Sequence, residues 1–317
     1  MNKSKIVTAS AIATVMSATA ATAEISIYGF AAGYWSTASD ATGSSIGRAS
    51  ETLGLSYSGT MDNGMGVGVT IVRANYGVGD TNPSGSSSDT QNVAINVSSD
   101  MGTLNFGSNN NSAADDMDGM PGKAGLGLSG TDIVVGKDYE DGDTPTGHGL
   151  KYTSPSMNGW TVAASTGFSN TQGTDATTSL AASGSVAGVS VAAGVASHGK
   201  TVVDGADVAG KDDTFMTAAY SLGDISLGYG MYSSDAVAGD SATSVSVSMP
   251  LAGMTAGIQF TEVDNSGAAA DDDGYRIGLV KSMGAGATFS VEYTDISYGA
   301  TATEDSTGVR IGYMMSF

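Results

Sequence analysis

The last ten residues, GVRIGYMMSF from Gly308 to Phe317, alternate strictly between two kinds of side chain. One parity carries Val, Ile, Tyr, Met and Phe, and the other carries Gly, Arg, Gly, Met and Ser. Because successive side chains of a strand point to opposite faces, this stretch predicts a β-strand with one apolar face. The same alternation recurs at Ile225–Tyr232, Val245–Met249 and Phe289–Tyr293.

The second face of these segments consists mainly of Gly, Ser and Thr. A soluble sandwich would instead expose many Lys and Glu side chains to water on that face. We therefore predict an all-β protein whose apolar face meets lipid and whose small polar face lines a crowded lumen.

The connections between the alternating segments alternate in length as well. The short ones are Met61–Met65, Ser98–Gly102, Ser154–Gly159, Val186–Gly188, Leu222–Asp224, Pro250–Gly253 and Ser282–Gly286. The long ones are Ser36–Ser50, Asn75–Ser88, Asn109–Gly147, Ser169–Thr177, His198–Asp213, Ser233–Ser241, Val263–Asp272 and Asp295–Ser306. This rhythm predicts a transmembrane antiparallel β-barrel of about 16 strands, with short periplasmic turns and both chain ends on the short-turn side. A barrel of that size leaves an aqueous channel.

The first residues have the layout of a secretory signal peptide. Lys3 and Lys5 precede an apolar run that is rich in small residues, and Ala21-Thr22-Ala23 reads as a cleavage site. The run is too short and too polar for a membrane anchor. We therefore expect residues 1–23 to be removed and residues 24–317 to form one outer-membrane barrel. The chain has no Cys, so a closed hydrogen-bonded ladder has to hold it together instead of disulfides.

The charge balance excludes several classes of function. The chain has 12 Lys and Arg against 32 Asp and Glu, a net charge of −20, so nucleic-acid binding is not expected. The acid excess fits solvated loops or a saline habitat, and it favours cations over anions in a pore. Catalysis is not expected either: Cys is absent, the only histidines are His148 and His198, and no Ser lies in a recognisable nucleophile elbow. We predict no cofactor.

Four segments together resemble one known family. They are the opening strand Ile25–Phe30, the strand Leu104–Gly107, the turn Tyr152–Trp160 and the C-terminal Gly312–Phe317. They are similar to segments of the Gram-negative general porins, especially those of alphaproteobacteria. The resemblance implies an outer-membrane homotrimer, surrounded by lipid and lipopolysaccharide, through which small hydrophilic solutes diffuse passively. It also implies that Tyr313 and Phe317 belong to a signal read by the barrel assembly machinery.

The resemblance further implies that the third external loop folds into the lumen and narrows it. The longest connection, Asn109–Gly147, stands in that place, and its acids would face a basic wall. These acids are Asp115, Asp116, Asp118, Asp132, Asp138, Glu140, Asp141 and Asp143.

Strand parity places a set of charged residues on the inner face. Lys151, Arg276 and Arg310 are the candidate basic wall, Arg48 joins them by extrapolation, and Glu292 is a wall acid. Arg276, Glu292 and Arg310 fall on the fourteenth, fifteenth and sixteenth strands, where they would form a lateral row. Facing acids on the loop would create a field across a narrow polar gap. Alternatively, these charges merely pair with each other on a wet wall.

Other readings stay open. Asp271, Asp272 and Asp273, or the acids at 115, 116 and 118, could hold Ca²⁺ through several oxygens, although acidic loop clusters are more often simply solvated.

Arg73 has lipid-side parity, which places it at the upper interface unless a bulge turns it inward. Tyr28, Tyr34, Trp35, Trp160 and further aromatics are expected near strand ends or on outward faces, where several would form interfacial girdles and others would pack the trimer contact. The alternative to a pore is an exported surface adhesin or structural β-protein, but we find no short fixed repeat of the solenoid kind.

Overall fold

The computed structural model describes residues 24–38, 44–75, 89–108, 112–114, 117, 148–168, 176–199, 201–203, 206–208, 210–234, 241–264, 271–297 and 305–317. The predicted signal peptide, residues 1–23, lies outside this part of the chain. The strands are β1 Glu24–Ala38, β2 Ser44–Thr60, β3 Gly66–Asn75, β4 Asp89–Ser99, β5 Gly102–Ser108, β6 His148–Thr153, β7 Thr161–Phe168, β8 Thr177–Val186, β9 Val189–His198, β10 Thr201–Val203, β11 Ala206–Val208, β12 Lys211–Leu222, β13 Ile225–Ser234, β14 Ser241–Leu251, β15 Met254–Asp264, β16 Asp272–Gly284, β17 Ala287–Ser297 and β18 Ser306–Ser316.

Sixteen of these strands close into one antiparallel barrel. Going around it from β1, the order is β18 to β12 descending, then β9 to β2 descending, and β2 pairs with β1 again. The predicted closed antiparallel barrel of 16 strands is confirmed. No helix long and apolar enough to cross a membrane occurs among the described residues.

Two predicted connections differ from the structure. β1 continues to Ala38 and β2 begins at Ser44, so the long loop expected at Ser36–Ser50 is mostly strand. A register shift of the β1–β2 ladder between Ala32 and Gly33 breaks the alternation that sequence reasoning relied on. The connection expected at His198–Asp213 contains its own two-stranded sheet, β10 with β11, outside the barrel.

The two faces of the barrel wall differ as predicted. Leu53 and Leu180 each expose 52% of their surface on the outer face, and Phe260 exposes 50%. The inner face of the same wall buries small or polar side chains, among them Ser244, Gln259 and Ser290. Outward apolar and inward polar residues are what a strand that separates lipid from a polar lumen requires.

The C-terminal residue takes part in closing the barrel. The Phe317 amide donates to the Gly29 carbonyl, and the Gly29 amide donates to the Phe317 carbonyl, both at 3.0 Å. The Phe317 ring covers Gly29, because a Cβ built at position 29 would lie 2.8 Å from the ring Cζ. Phe317 therefore extends the β1–β18 ladder by one pair beyond Phe30 and Ser316.

Several turns at the short-connection end are two-residue hairpins with positive φ at both positions. Asn158 and Gly159 have φ of 54° and 83°, and Ala252 and Gly253 have φ of 51° and 76°. Two consecutive positive φ values match the right-handed twist of the flanking strands. Asn and Gly adopt this conformation easily, whereas Ala252 does so at a steric cost.

Candidate pore-lining site

Three charged side chains lie next to one another on the inner face of β16, β17 and β18. Glu292 on β17 is directly opposite Arg310 on β18. Arg276 on β16 is diagonal to Glu292, because Gly278 is the residue opposite Glu292. The predicted row therefore exists, with Arg276 displaced by two residues toward the long loops.

The three members of this charged wall differ in accessibility. Arg276 exposes only 2% of its surface and Glu292 only 3%, whereas Arg310 is half-buried. Opposite charges close to each other lower the cost of burying either one. Arg310 is therefore the member of the wall that a passing solute can touch. Arg276 and Glu292 lie within the wall and influence the solute through their charge, without contact.

A set of neutral polar side chains holds Arg276 in place. Its Nη2 donates to Gln259 Oε1 at 2.8 Å, and Gln259 Nε2 donates to Ser244 Oγ at 2.9 Å. The Thr261 hydroxyl adds a longer contact of 3.3 Å to the same Ser244 Oγ. Sequence reasoning missed these residues because it searched the inner parity for charges only. Gln259 has the inner parity in the sequence, and this was the signal that could have identified it as a partner of Arg276. In the structure it lies directly opposite Arg276.

An aromatic ring supports Arg310. Its Cζ lies 4.9 Å from the centroid of the Tyr34 ring, a cation–π distance. Tyr34 pairs with Gly312 and therefore shares the inner face with Arg310, and Tyr28 has the same parity on β1. Tyr28 and Tyr34 therefore do not belong to the outward-facing aromatics among which the sequence reading placed them. Phe260, Tyr275 and Tyr293 do lie together on the outer face, with ring centroids 6.0 Å apart in each contacting pair.

The other predicted basic residues lie elsewhere in the barrel. Lys151 on β6 is buried on the inner face, opposite Ser165 of β7. Arg48 lies on β2 opposite Gly33 of β1, which pairs with outward-facing Tyr313, so the register gives position 48 the outer parity and the extrapolated inward parity is wrong. Arg73 is exposed on the outer face near the long-loop end of β3, where Leu53 is its partner on β2.

The connection between β5 and β6 reaches the inner wall. The amide of Ala113 donates to Ser165 Oγ at 3.0 Å and to Ser179 Oγ at 2.9 Å, and the amide of Ala114 donates to Ser179 Oγ at 3.2 Å. Ala114 and Met117 pack against inward residues of β8, β9 and β12, including Phe215. The described part of this connection is thus attached inside the barrel. Its predicted acids Asp115, Asp116, Asp118, Asp132, Asp138 and Glu140 lie outside the described residues.

A contact between a histidine and a carboxylate that sequence reasoning missed lies on the inner wall near the long-loop end. His198 Nε2 is 2.8 Å from Asp213 Oδ2, and Asp213 is buried. Both residues were assigned to a loop, but His198 ends β9 and Asp213 belongs to β12. Their pairing depends on a register between strands that are separated in sequence by β10 and β11.

The described residues contain no group of three His, Cys, Asp or Glu side chains that could hold a metal ion. Asp272 and Asp273 are consecutive strand residues, so their carboxylates point to opposite faces and cannot converge on one Ca²⁺. The Ca²⁺ site considered at Asp271, Asp272 and Asp273 is therefore not formed.

Comparison with known proteins identifies the family. A sequence profile described as Gram-negative porin matches residues 8–316. The chain belongs to the Gram-negative porin family. This confirms the resemblance drawn from the sequence, does not favour the adhesin alternative, and places the protein among outer-membrane diffusion channels. A search of curated protein sequences finds no match.

Solved porin structures share the fold of this porin. An anion-selective porin from Comamonas acidovorans matches with a TM-score of 0.74 at 15% identity, covering 93% of this chain and 100% of the other. OmpT, an outer membrane protein of Vibrio cholerae, matches with a TM-score of 0.68 at 16% identity, covering 93% and 98%. A triple mutant of Rhodopseudomonas blastica porin matches with a TM-score of 0.68 at 17% identity, covering 93% and 100%.

Proposed function

We propose that residues 24–317 form a water-filled channel in the outer membrane through which small hydrophilic solutes and ions diffuse passively. The observation that carries this proposal is the closed barrel of sixteen strands, apolar outside and polar inside. Sixteen strands are enough to enclose an aqueous lumen, whereas about eight would be filled by side chains. Such a channel performs no chemistry and needs no cofactor.

The narrow part of this channel lies where the loop between β5 and β6 meets the wall. Its basic side consists of Arg276 and Arg310, with Lys151 on another strand and Glu292 between the two arginines of the wall. The loop acids Asp115, Asp116, Asp118, Asp132, Asp138 and Glu140 form the other side. This arrangement is supported by the attachment of Ala113 and Ala114 to Ser165 and Ser179.

The channel functions as a homotrimer in lipid and lipopolysaccharide. Support comes from one solved structure described as the trimer form of OmpT of Vibrio cholerae, which shares the fold with a TM-score of 0.65. Export requires cleavage after Ala23, and insertion requires the barrel assembly machinery to read Tyr313 and Phe317. The pairing of Phe317 with Gly29 fits that requirement, because assembly ends when β18 joins β1.

Two measurements test the proposal. Proteoliposomes that contain the purified protein should swell in neutral solutes at a rate that falls with solute size, and absence of swelling would contradict the channel.

Arg310→Ala should shift the reversal potential in a salt gradient toward cations more than Arg276→Ala, because Arg310 is the accessible charge. Lys281→Ala is the matched control, since this exposed side chain shares the outer parity of Ile277. If neither arginine variant changes selectivity, the assigned basic wall is wrong.

A further inference from the structure

One sector of the inner wall lies almost opposite the charged wall. Six barrel strands separate β17 from β8 in one direction and eight in the other. In this sector, two inner rows in direct register run across the wall near its short-turn end. The upper row is Thr161, Ser183, Ala192 and Thr217, and the lower row is Ser185, Ser190 and Ala219. Both rows consist of hydroxyl-bearing residues and Ala, with no charged side chain.

A cavity of about 410 Å³ lies against these two rows. Met117 of the loop between β5 and β6 borders the cavity, and the described residues of its lining include no Asp, Glu, Lys, Arg or His. The volume falls within the range of about 300–1,000 Å³ that small-molecule sites occupy. The cavity is open toward the lumen, as a site on a diffusion path has to be.

The upper border of the cavity is built and held by specific contacts. The next inner row toward the long loops is Ala163, Ala181, Gly194 and Phe215, and its Ala181 and Phe215 pack against Ala114 and Met117. The row beyond it contains Ser165 and Ser179, whose hydroxyls accept the amides of Ala113 and Ala114. Four elements of the wall therefore fix the loop segment that carries Met117.

The chemistry of the lining selects a class of ligand. A Ser or Thr hydroxyl donates one hydrogen bond and accepts others, so it can pair with another hydroxyl in either direction. The two strand rows carry no charged side chain, so they offer nothing to compensate for the lost hydration of an ion. The methyl groups of Ala192 and Ala219 and the Met117 side chain provide apolar surface for C–H groups. Neutral molecules that carry several hydroxyls match all three properties.

We propose that this cavity is a weak binding site for neutral polyhydroxylated solutes of sugar size. The inference rests on the proposed function, because it requires an open lumen. Neutral polyols then bind at the hydroxyl rows, almost opposite the wall that contains Arg310. Binding is weak, since a site on a diffusion path must release its ligand easily.

Titration of the single-channel ion current with maltose tests this site. The wild-type current should fall to a saturating partial block, which gives a dissociation constant. Thr217→Val combined with Ser183→Ala removes two hydroxyls at nearly unchanged shape, and the constant should rise about tenfold, or about threefold for each hydrogen bond lost. Ser190→Ala alone, at an exposed position that folding does not depend on, should raise it about threefold.

Ser248→Ala is the matched control, because Ser248 lies on the inner parity of β14 outside the cavity, and its constant should equal that of the wild type. A block that does not saturate, or one with the same constant in the wild type and both cavity variants, would overturn the site while leaving the channel intact. Loss of stepwise conductance in the wild type would instead overturn the proposed function itself.

Discussion

Removing the single acid of the charged wall should make the pore more anion-selective. Glu292→Gln keeps the size of the side chain and its hydrogen-bonding ability but leaves Arg276 and Arg310 uncompensated, so the formal charge of the wall doubles. For an ion that passes about 8 Å from the carboxylate in a wet lumen, the lost interaction is about 0.5 kcal/mol. The change favours anions and disfavours cations by equal amounts, so the ratio of their permeabilities should rise about fivefold.

The assay is the reversal potential of the purified protein in a planar bilayer across a dilute salt gradient. The effect should shrink at about 1 M salt, where the screening length falls to about 3 Å. Glu262→Gln is the matched control, because it removes an equal charge from an exposed residue of the outer face of β15. A Glu292→Gln channel with normal conductance and an unchanged or more cation-selective reversal potential would refute the reasoning.

Three further changes test the barrel and its loop. Deleting Phe317 removes both backbone hydrogen bonds to Gly29, so less heat-modifiable barrel should accumulate in outer-membrane fractions. Normal insertion of the shortened chain would count against the assembly signal. Ala252→Asn introduces a residue that adopts the positive φ of this turn more easily than Ala, so it should stabilise the barrel by about 1 kcal/mol in urea unfolding. An unchanged unfolding midpoint would show that the turn carries no strain. Ser165→Ala with Ser179→Ala removes the acceptors of the loop amides and should give larger and noisier currents; steady wild-type currents would show that other contacts hold the loop.

Local alternation was sufficient to predict the barrel, because each face of a strand depends only on its own residues. Leu180 and Phe260 lie outward as their parity requires, and the short connections fall where small and polar residues interrupt the pattern. The same reasoning failed at Ser36–Ser50, where the register shift beside Gly33 breaks the period of two. It also missed β10 and β11, which are too short to show any period.

The site was predictable in its charges but not in its contacts. Inner parity identified Arg276, Glu292 and Arg310 correctly, since charge and alternation are both visible in the sequence. The role of Gln259, the ring of Tyr34 under Arg310 and the pairing of His198 with Asp213 depend on register between strands. Register is a property of the assembled sheet. A shift of one strand by one residue would move its inward side chains to the outer face.

Single-channel conductance in a planar lipid bilayer tests the central claim most directly. Purified protein that shows the β-sheet content and heat-modifiable mobility of a folded barrel should insert in discrete current steps, each with a conductance proportional to the salt concentration. Folded protein that leaves the bilayer current unchanged at every salt concentration and voltage would contradict the claim that this barrel is a water-filled pore.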